Sequence, residues 1–149
     1  MGWLADRLLA LAERKAPNRV TAAKPDGSPA MLRWELIRLN KWFNIYIHKF
    51  LASDRDRALH DHPWWGFSLI LRGQYVDVSR KGRRLLQAGD WMLRPASRPH
   101  RIELVNGEPC WTLFIVGPRV REWGFYCPGG WVGWREFNKT GCPAVMELE

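Results

Sequence analysis

The sequence predicts an all-β domain, a sandwich or closed barrel, preceded by a short helix. Three observations lead there. After residue 30 the chain runs through about seven to nine short segments rich in β-branched and aromatic residues, separated by Gly, Pro, Asn and Asp. Helical periodicity stops at residue 16, so strands do not alternate with helices as they would around a parallel sheet. The length of 149 residues, 46% of them hydrophobic, suits one domain with a single core.

The elements follow in order. Residues 2–15 place Leu4, Leu8 and Leu11 at helical spacing, with Arg7 and Arg14 on other faces. The stretch "APNRVTAAKPDGSPA" (16–30) concentrates proline, glycine and polar residues and reads as a loop. Residues 1–30 are therefore expected to be a helix-and-loop appendage, and residues 31–149 the β domain. "LRWELIRL" (32–39) and "FNIYIHKF" (43–50) read as strands, with Asn40 and Lys41 at the turn between them. "FSLILRGQYVDVS" (67–79) reads as two strands meeting at Gly73. "WMLRP" (91–95), "HRIEL" (100–104) and "CWTLFIV" (110–116) continue the series, and "GFYC" and "WVGWREF" close it.

Composition narrows the function. The net charge of +8 is scattered among aspartates and apolar strands, apart from "SRKGRR" (79–84), which reads as a hairpin tip. This is the pattern of a solvated basic surface, and nucleic acid is not an expected partner. Cys110, Cys127 and Cys142 are odd in number and form no C-x-x-C pair, which argues against a disulfide framework and a cysteine-based zinc site. No segment approaches the roughly 20 apolar residues of a membrane span, and the N-terminal stretch lacks a signal peptide's apolar core. The expected setting is the cytoplasm, without a membrane. Ten tryptophans can supply a core or line a cavity with few residues.

Two of the four histidines sit in the triplet of "ALHDHPWWGF" (58–67). Side chains two apart on a strand share a face, so His60 and His62 project together and Asp61 turns away. In "HRIEL", alternation places His100 with Ile102 and Leu104, the apolar and hence inward face. Converging histidines from two strands would form a three-nitrogen metal site. The alternative is that His60 and Asp61 cap a turn before Pro63 and that His100 is a hydrogen-bonded core residue. For His48 alternation is silent. It shares a face with Tyr46 and Phe50 while Ile45 and Ile47 take the other, so it is either packed away or a group supporting the pocket.

These stretches resemble a known family. "HDHPWWGFSLILRG", His60 to Gly73, is similar to the first cupin motif, in which H-x-H is followed by a glutamate and a glycine. "GDWMLRPASRPHRIEL", Gly89 to Leu104, is similar to the second, with Gly89, Pro95 and His100 at the family spacing and about fifteen residues between the motifs. The resemblance covers roughly residues 32 to 126 and implies a double-stranded β-helix, the jelly-roll barrel of the cupins, with a metal at its mouth. The motif glutamate would fall at Gly66 or Phe67, neither of which can bind a metal; Ser97 replaces a glycine and Leu104 an asparagine. What is left, His60, His62 and His100, is similar to the three-histidine iron sites of thiol and some diketone dioxygenases. The resemblance thus implies one divalent transition metal, with Fe(II) favoured and Zn or Ni possible, and a small-molecule ligand. Cupins are often dimers, so a homodimer is a further expectation. Arg57, Arg94 and Arg98 flank the motifs and can hold an anionic group, and Trp64 can wall the pocket. The expected function is a metal-dependent enzyme acting on a small anionic molecule, most concretely a dioxygenase, or else a binding module without turnover.

Overall fold

The computed structural model describes residues 2–23, 27–54 and 58–142. The helices are α1 (Gly2–Glu13) and α2 (Trp134–Thr140). The strands are β1 (Arg19–Ala23), β2 (Pro29–Glu35), β3 (Asn44–Phe50), β4 (Leu59–His60), β5 (Gly66–Arg72), β6 (Gln74–Ser79), β7 (Gly82–Gln87), β8 (Trp91–Arg94), β9 (His100–Leu104), β10 (Cys110–Val116), β11 (Gly124–Cys127) and β12 (Gly130–Gly133). They form two six-stranded antiparallel sheets, ordered β1-β2-β3-β10-β5-β8 and β12-β11-β4-β9-β6-β7. No helix among the described residues is long and apolar enough to cross a membrane.

The expected all-β architecture is the observed one, and three local expectations are corrected. Residues 19–23, read as loop, form β1, an edge strand pairing Arg19 with Arg33 and Val20 with Leu32. Its five residues lie between proline- and glycine-rich stretches, and it gains order from β2 rather than from a pattern of its own. The run "WVGWREF", read as one strand, divides: its first three residues lie in β12, and its last four open α2, which buries Phe137 against β11. The strand expected over 32–39 ends at Glu35. The turn readings hold: Arg80 and Lys81 form the tip between β6 and β7, and Gly73 turns β5 into β6. Gly73 has φ +80°, and a Cβ there would stand 2.5 Å from the Pro109 carbonyl oxygen, so only glycine fits.

The centre of the first sheet is buried on both faces. Outside, α1 lays Ala5, Leu9 and Ala12 on Trp34, Ile47, Leu71 and Trp111, and Trp34 and Trp111 stack at 5.3 Å. Trp34 also donates from Nε1 to the Lys15 carbonyl, tying the end of α1 to β2. Inside, Ile70, Met92 and Cys110 meet Tyr75, Leu86, Ile102 and Leu104 of the second sheet. This double burial explains why the alternation in "NIYIHKF" names no face: Ile47 points to α1 and His48 to the interior, and both are buried.

Cys127 and Cys142 form a disulfide that fastens the end of α2 to β11, and Cys110 is buried and free, its thiol pushed up to about 12 by burial. The reading of the three cysteines as arguing against disulfides is thus corrected. The odd count reflects one core cysteine beside one bridge, which spacing alone does not separate.

Leu9, at 1% exposure, is the centre of the contact between α1 and the sheet. Leu9→Ala is expected to cost about 2–5 kcal/mol in urea unfolding, the range for emptying a packed leucine site. A loss under about 1 kcal/mol would show that the helix adds little to the core.

Candidate metal centre

β4 is only two residues long, but it lies between two strands that fix its register. His60 pairs with His100 on β9 and with Phe125 on β11. His62 lies just beyond the strand, where its amide donates to the Ala96 carbonyl at 3.1 Å. The three imidazoles therefore meet, with ring centroids 5.0 to 5.2 Å apart and candidate ligand nitrogens all within 4.8 Å of one another. His100 is inward with Ile102 and Leu104, as the alternation requires.

Asp77 on β6 is buried behind this cluster, and its Oδ1 lies 2.7 Å from His100 Nδ1. Arg94 donates from Nη2 to the same carboxylate oxygen and to Met92 Sδ. Burial pushes the Asp77 carboxyl up, and the Arg94 guanidinium opposes it. With an acceptor at Nδ1, His100 turns the lone pair of Nε2 toward His62, whose Nε2 is 2.9 Å away. A carboxylate behind a histidine in this way fixes the tautomer and orientation of a metal ligand. Two nitrogens at about 2.0–2.1 Å from one ion, at right angles, stand roughly 3 Å apart, so the spacing fits a shared metal. Burial is the main cause holding His62 and His100 well below the ordinary imidazole pKa. The next causes are His100, His60 and Arg94 around His62, and Arg94, His60 and Arg98 around His100. Neutral imidazole is the form that binds metals.

At the position of the first motif's missing carboxylate, a side chain from β10 occupies the space. A Cβ at Gly66 would stand 2.9 Å from the Phe114 ring, which fills the space a glutamate side chain would need. Phe67 points elsewhere and stacks on Trp91. Among the described residues the cluster is three histidines without an acid.

The centre opens into a cavity of about 370 Å³ between the sheets, a size suited to a small molecule. The residues expected around it divide. Trp64 lines the cavity, and its buried Nε1 has no hydrogen-bond partner. His48 lines it too, fully enclosed, and accepts a hydrogen bond at Nε2 from Arg33 Nε at 3.0 Å. Arg94 is in the wall, but its charge is matched by Asp77. Arg98 is not in the wall; it borders a separate surface depression with Arg84 and Asp90. The expectation placed on Arg57 lies outside the described residues.

The sequence reading missed several residues. Asp77 and Arg33 were hidden in strand-like runs, although an aspartate alternating with the apolar Tyr75 in "QYVDVS" is itself an anomaly worth pursuing. Asp61, the middle residue of the triplet, is fully buried on the side away from the metal cluster, as its alternation predicts. It accepts from the Gly124 amide at 2.8 Å, Trp131 Nε1 at 3.1 Å, Tyr126 hydroxyl at 3.2 Å and Arg121.

A family model described as the AraC-like ligand binding domain matches residues 44–128, more than half of the chain. The chain belongs to this family. No curated protein matches it. Among solved structures, this AraC-like domain is similar to a cupin-2 domain from Rhodospirillum rubrum, at a TM-score of 0.59 and 15% identity, over 75% of this chain and 77% of that one. It is similar to the DMSP lyase DddQ from Ruegeria pomeroyi, at a TM-score of 0.58 and 19% identity, over 75% of this chain. The match spans only 60% of the lyase's length. The polyketide cyclase RemF from Streptomyces resistomycificus gives a TM-score of 0.52 at 18% identity, over 72% of this chain and 84% of that one. At these identities the likeness establishes the cupin fold alone.

His48 joins His62 and His100 in being held well below the ordinary imidazole pKa, first by burial, then by Arg33 and His62. In the metal-free protein these rings stay neutral when folded, whereas the unfolded chain takes up protons below about pH 6.5. Stability is therefore expected to be level above that pH. Below it, each histidine removes up to about 1.4 kcal/mol per pH unit until its folded pKa is reached. Urea unfolding of chelator-treated protein from about pH 7.5 to about pH 5 measures this, and an unchanged midpoint would contradict neutral burial.

Proposed function

We propose that this protein is a mononuclear metal-binding cupin that acts on a small anionic molecule, with His60, His62 and His100 holding a divalent transition metal. The supporting observation is the convergence of three imidazoles, one backed by a buried carboxylate, at the wall of a cavity of small-molecule size. Three neutral ligands leave a divalent ion its full charge and open positions, which supply Lewis acidity or a place for dioxygen. The chain's own residues do the rest. Asp77 sets the orientation of His100, while Trp64 and Phe114 take up space that water would otherwise fill. Arg94 in the wall is matched by Asp77, whereas Arg33 has no ion-pair partner among the described residues, and that cation favours an anionic guest. The most specific form of this reading is a three-histidine Fe(II) dioxygenase, supported by the donor set and by glycine at residue 66, which offers no fourth, carboxylate ligand.

A second reading, a barrel that binds its ligand without turnover, is favoured by the family's description as a ligand-binding domain and by the absence of an evident general base among the described cavity residues. The lyase and cyclase of similar fold are named for catalysis, which favours the enzyme. Oxygen uptake by iron-loaded protein with candidate anionic substrates separates the two, since a binding module leaves oxygen untouched.

Elemental analysis of the purified protein is expected to find about one transition-metal ion per chain, lost when His60 and His100 are both changed to alanine. Protein that stays metal-free after reconstitution with iron, zinc and nickel would refute the metal reading. Asp77→Asn is expected to weaken metal affinity about 10- to 100-fold, the usual cost of losing the group behind a ligating histidine. Titration of the apoprotein against a competing chelator measures it.

A further inference from the structure

The two arginines of the cavity wall are in opposite electrostatic situations. Arg94 faces a buried carboxylate, whereas Arg33 has no carboxylate within 4.0 Å among the described residues. Arg33 belongs to β2, where its register partner is His48 on β3, followed across the sheet by Thr112 on β10 and Ile70 on β5. That row faces the histidine centre, which belongs to the other sheet. The Arg33 guanidinium is fixed in place: it lies over the Tyr46 ring at 4.7 Å, and its Nε donates to His48 Nε2. One of its five N–H groups is thus used, and the paired Nη groups remain. A guanidinium held in place, partly desolvated and without an ion pair among the described residues, is ready to receive an anionic group.

We infer that Arg33 is the seat of a ligand carboxylate, and that the molecule this cavity accepts is a monocarboxylate with an apolar body. The inference rests on the reading of the cavity as a ligand site. A carboxylate matches the planar Nη fork with two parallel hydrogen bonds. A phosphate dianion would call for further unpaired cations, and the other wall arginine is already neutralised by Asp77. The cavity's carboxylate, Asp54, accepts from the Ile102 amide at 2.6 Å and is engaged with backbone. Between the sheets the walls are largely aromatic and sulfur-bearing, including Phe50, Phe114, Trp64 and Met92, which suits an apolar body. Thr112 Oγ1, in the same row, is buried and unpartnered, as are Trp64 Nε1 and Arg94 Nη1 elsewhere in the wall, so a ligand's polar atoms find further matches there. Bound this way, a ligand has its acid group on one sheet and its body directed toward the histidines on the other.

The test is calorimetric titration of the full chain with acetate, isobutyrate, benzoate and phenylacetate, and with benzamide as the neutral counterpart of benzoate. Wild-type protein is expected to bind at least one of the aromatic acids, and benzoate at least tenfold more tightly than benzamide. Arg33→Gln is expected to weaken carboxylate binding at least tenfold and to erase the preference over benzamide. Arg33→Lys, which keeps charge but not the fork, is expected to fall between. Arg38→Gln, an exposed arginine outside the cavity, is the control. Thermal unfolding and metal content are measured on each variant, so a misfolded Arg33→Gln protein is recognised and Arg33→Lys then carries the comparison. Carboxylate binding that is unchanged in both Arg33 variants but lost on chelation would place the acid on the metal and overturn the inference. Failure of wild-type protein to bind any of the four acids would overturn it too. A protein that takes up no metal defeats the metal reading and leaves the comparison of Arg33→Gln with wild type intact.

Discussion

The site depends on one buried carboxylate shared between a guanidinium and an imidazole. Asp77 sits in the interior of the second sheet, where an unpaired charge would be prohibitive. Arg94 from β8 makes it tolerable, and Asp77 in turn holds the Nδ1 side of His100. Breaking such a pair by removing one member typically costs about 3–5 kcal/mol, because the survivor is left charged and buried. Three strands, β6, β8 and β9, are thereby locked in relative position around a histidine whose other nitrogen faces the cluster. The geometry of the metal centre is thus a consequence of how one acid avoids being alone.

Asp61 solves the same problem on the opposite side of the triplet. It is fully buried between two histidines that face inward, and its four donors come from residues 121 to 131. The chain's C-terminal segment is therefore fastened to the back of the H-x-H sequence. That attachment extends outward: Phe125 packs beside His60, Phe137 of α2 stacks on Phe125 at 3.6 Å, and the disulfide closes α2 onto β11. Trp123, also in the cavity wall, stacks on Trp134. The tryptophan- and glycine-rich tail is part of the site's wall.

Much of the fold was legible because its signals are local. Strands after residue 30 announce themselves by composition and turn residues, and α1 by its leucine spacing. The H-x-H triplet and the alternation of "HRIEL" pointed to a meeting of His60, His62 and His100 beside a turn-capping alternative, and the pairing of β4 with β9 decided between them. β1 and α2 were not legible. Five residues beside proline and glycine, and seven residues dense in aromatics, take their structure from the neighbours they pack against.

The sequence by itself determined the all-β class, the three histidines and their inward direction, and the turning away of Asp61. These follow from the alternation that any strand imposes on its side chains, whatever its partners. The tertiary structure alone decided which charges meet. Arg33, Arg94 and Arg98 are alike in sequence, yet one faces the cavity unneutralised, one is paired with Asp77, and one borders another depression. Because α1 covers the outer face of the first sheet, both faces of its strands are buried, and alternation cannot say which residues line the interior. Which cysteines pair, which acid stands behind a histidine and which arginine lacks a partner are set by register between strands distant in sequence. Register is fixed by packing and by the rule that buried charges find partners.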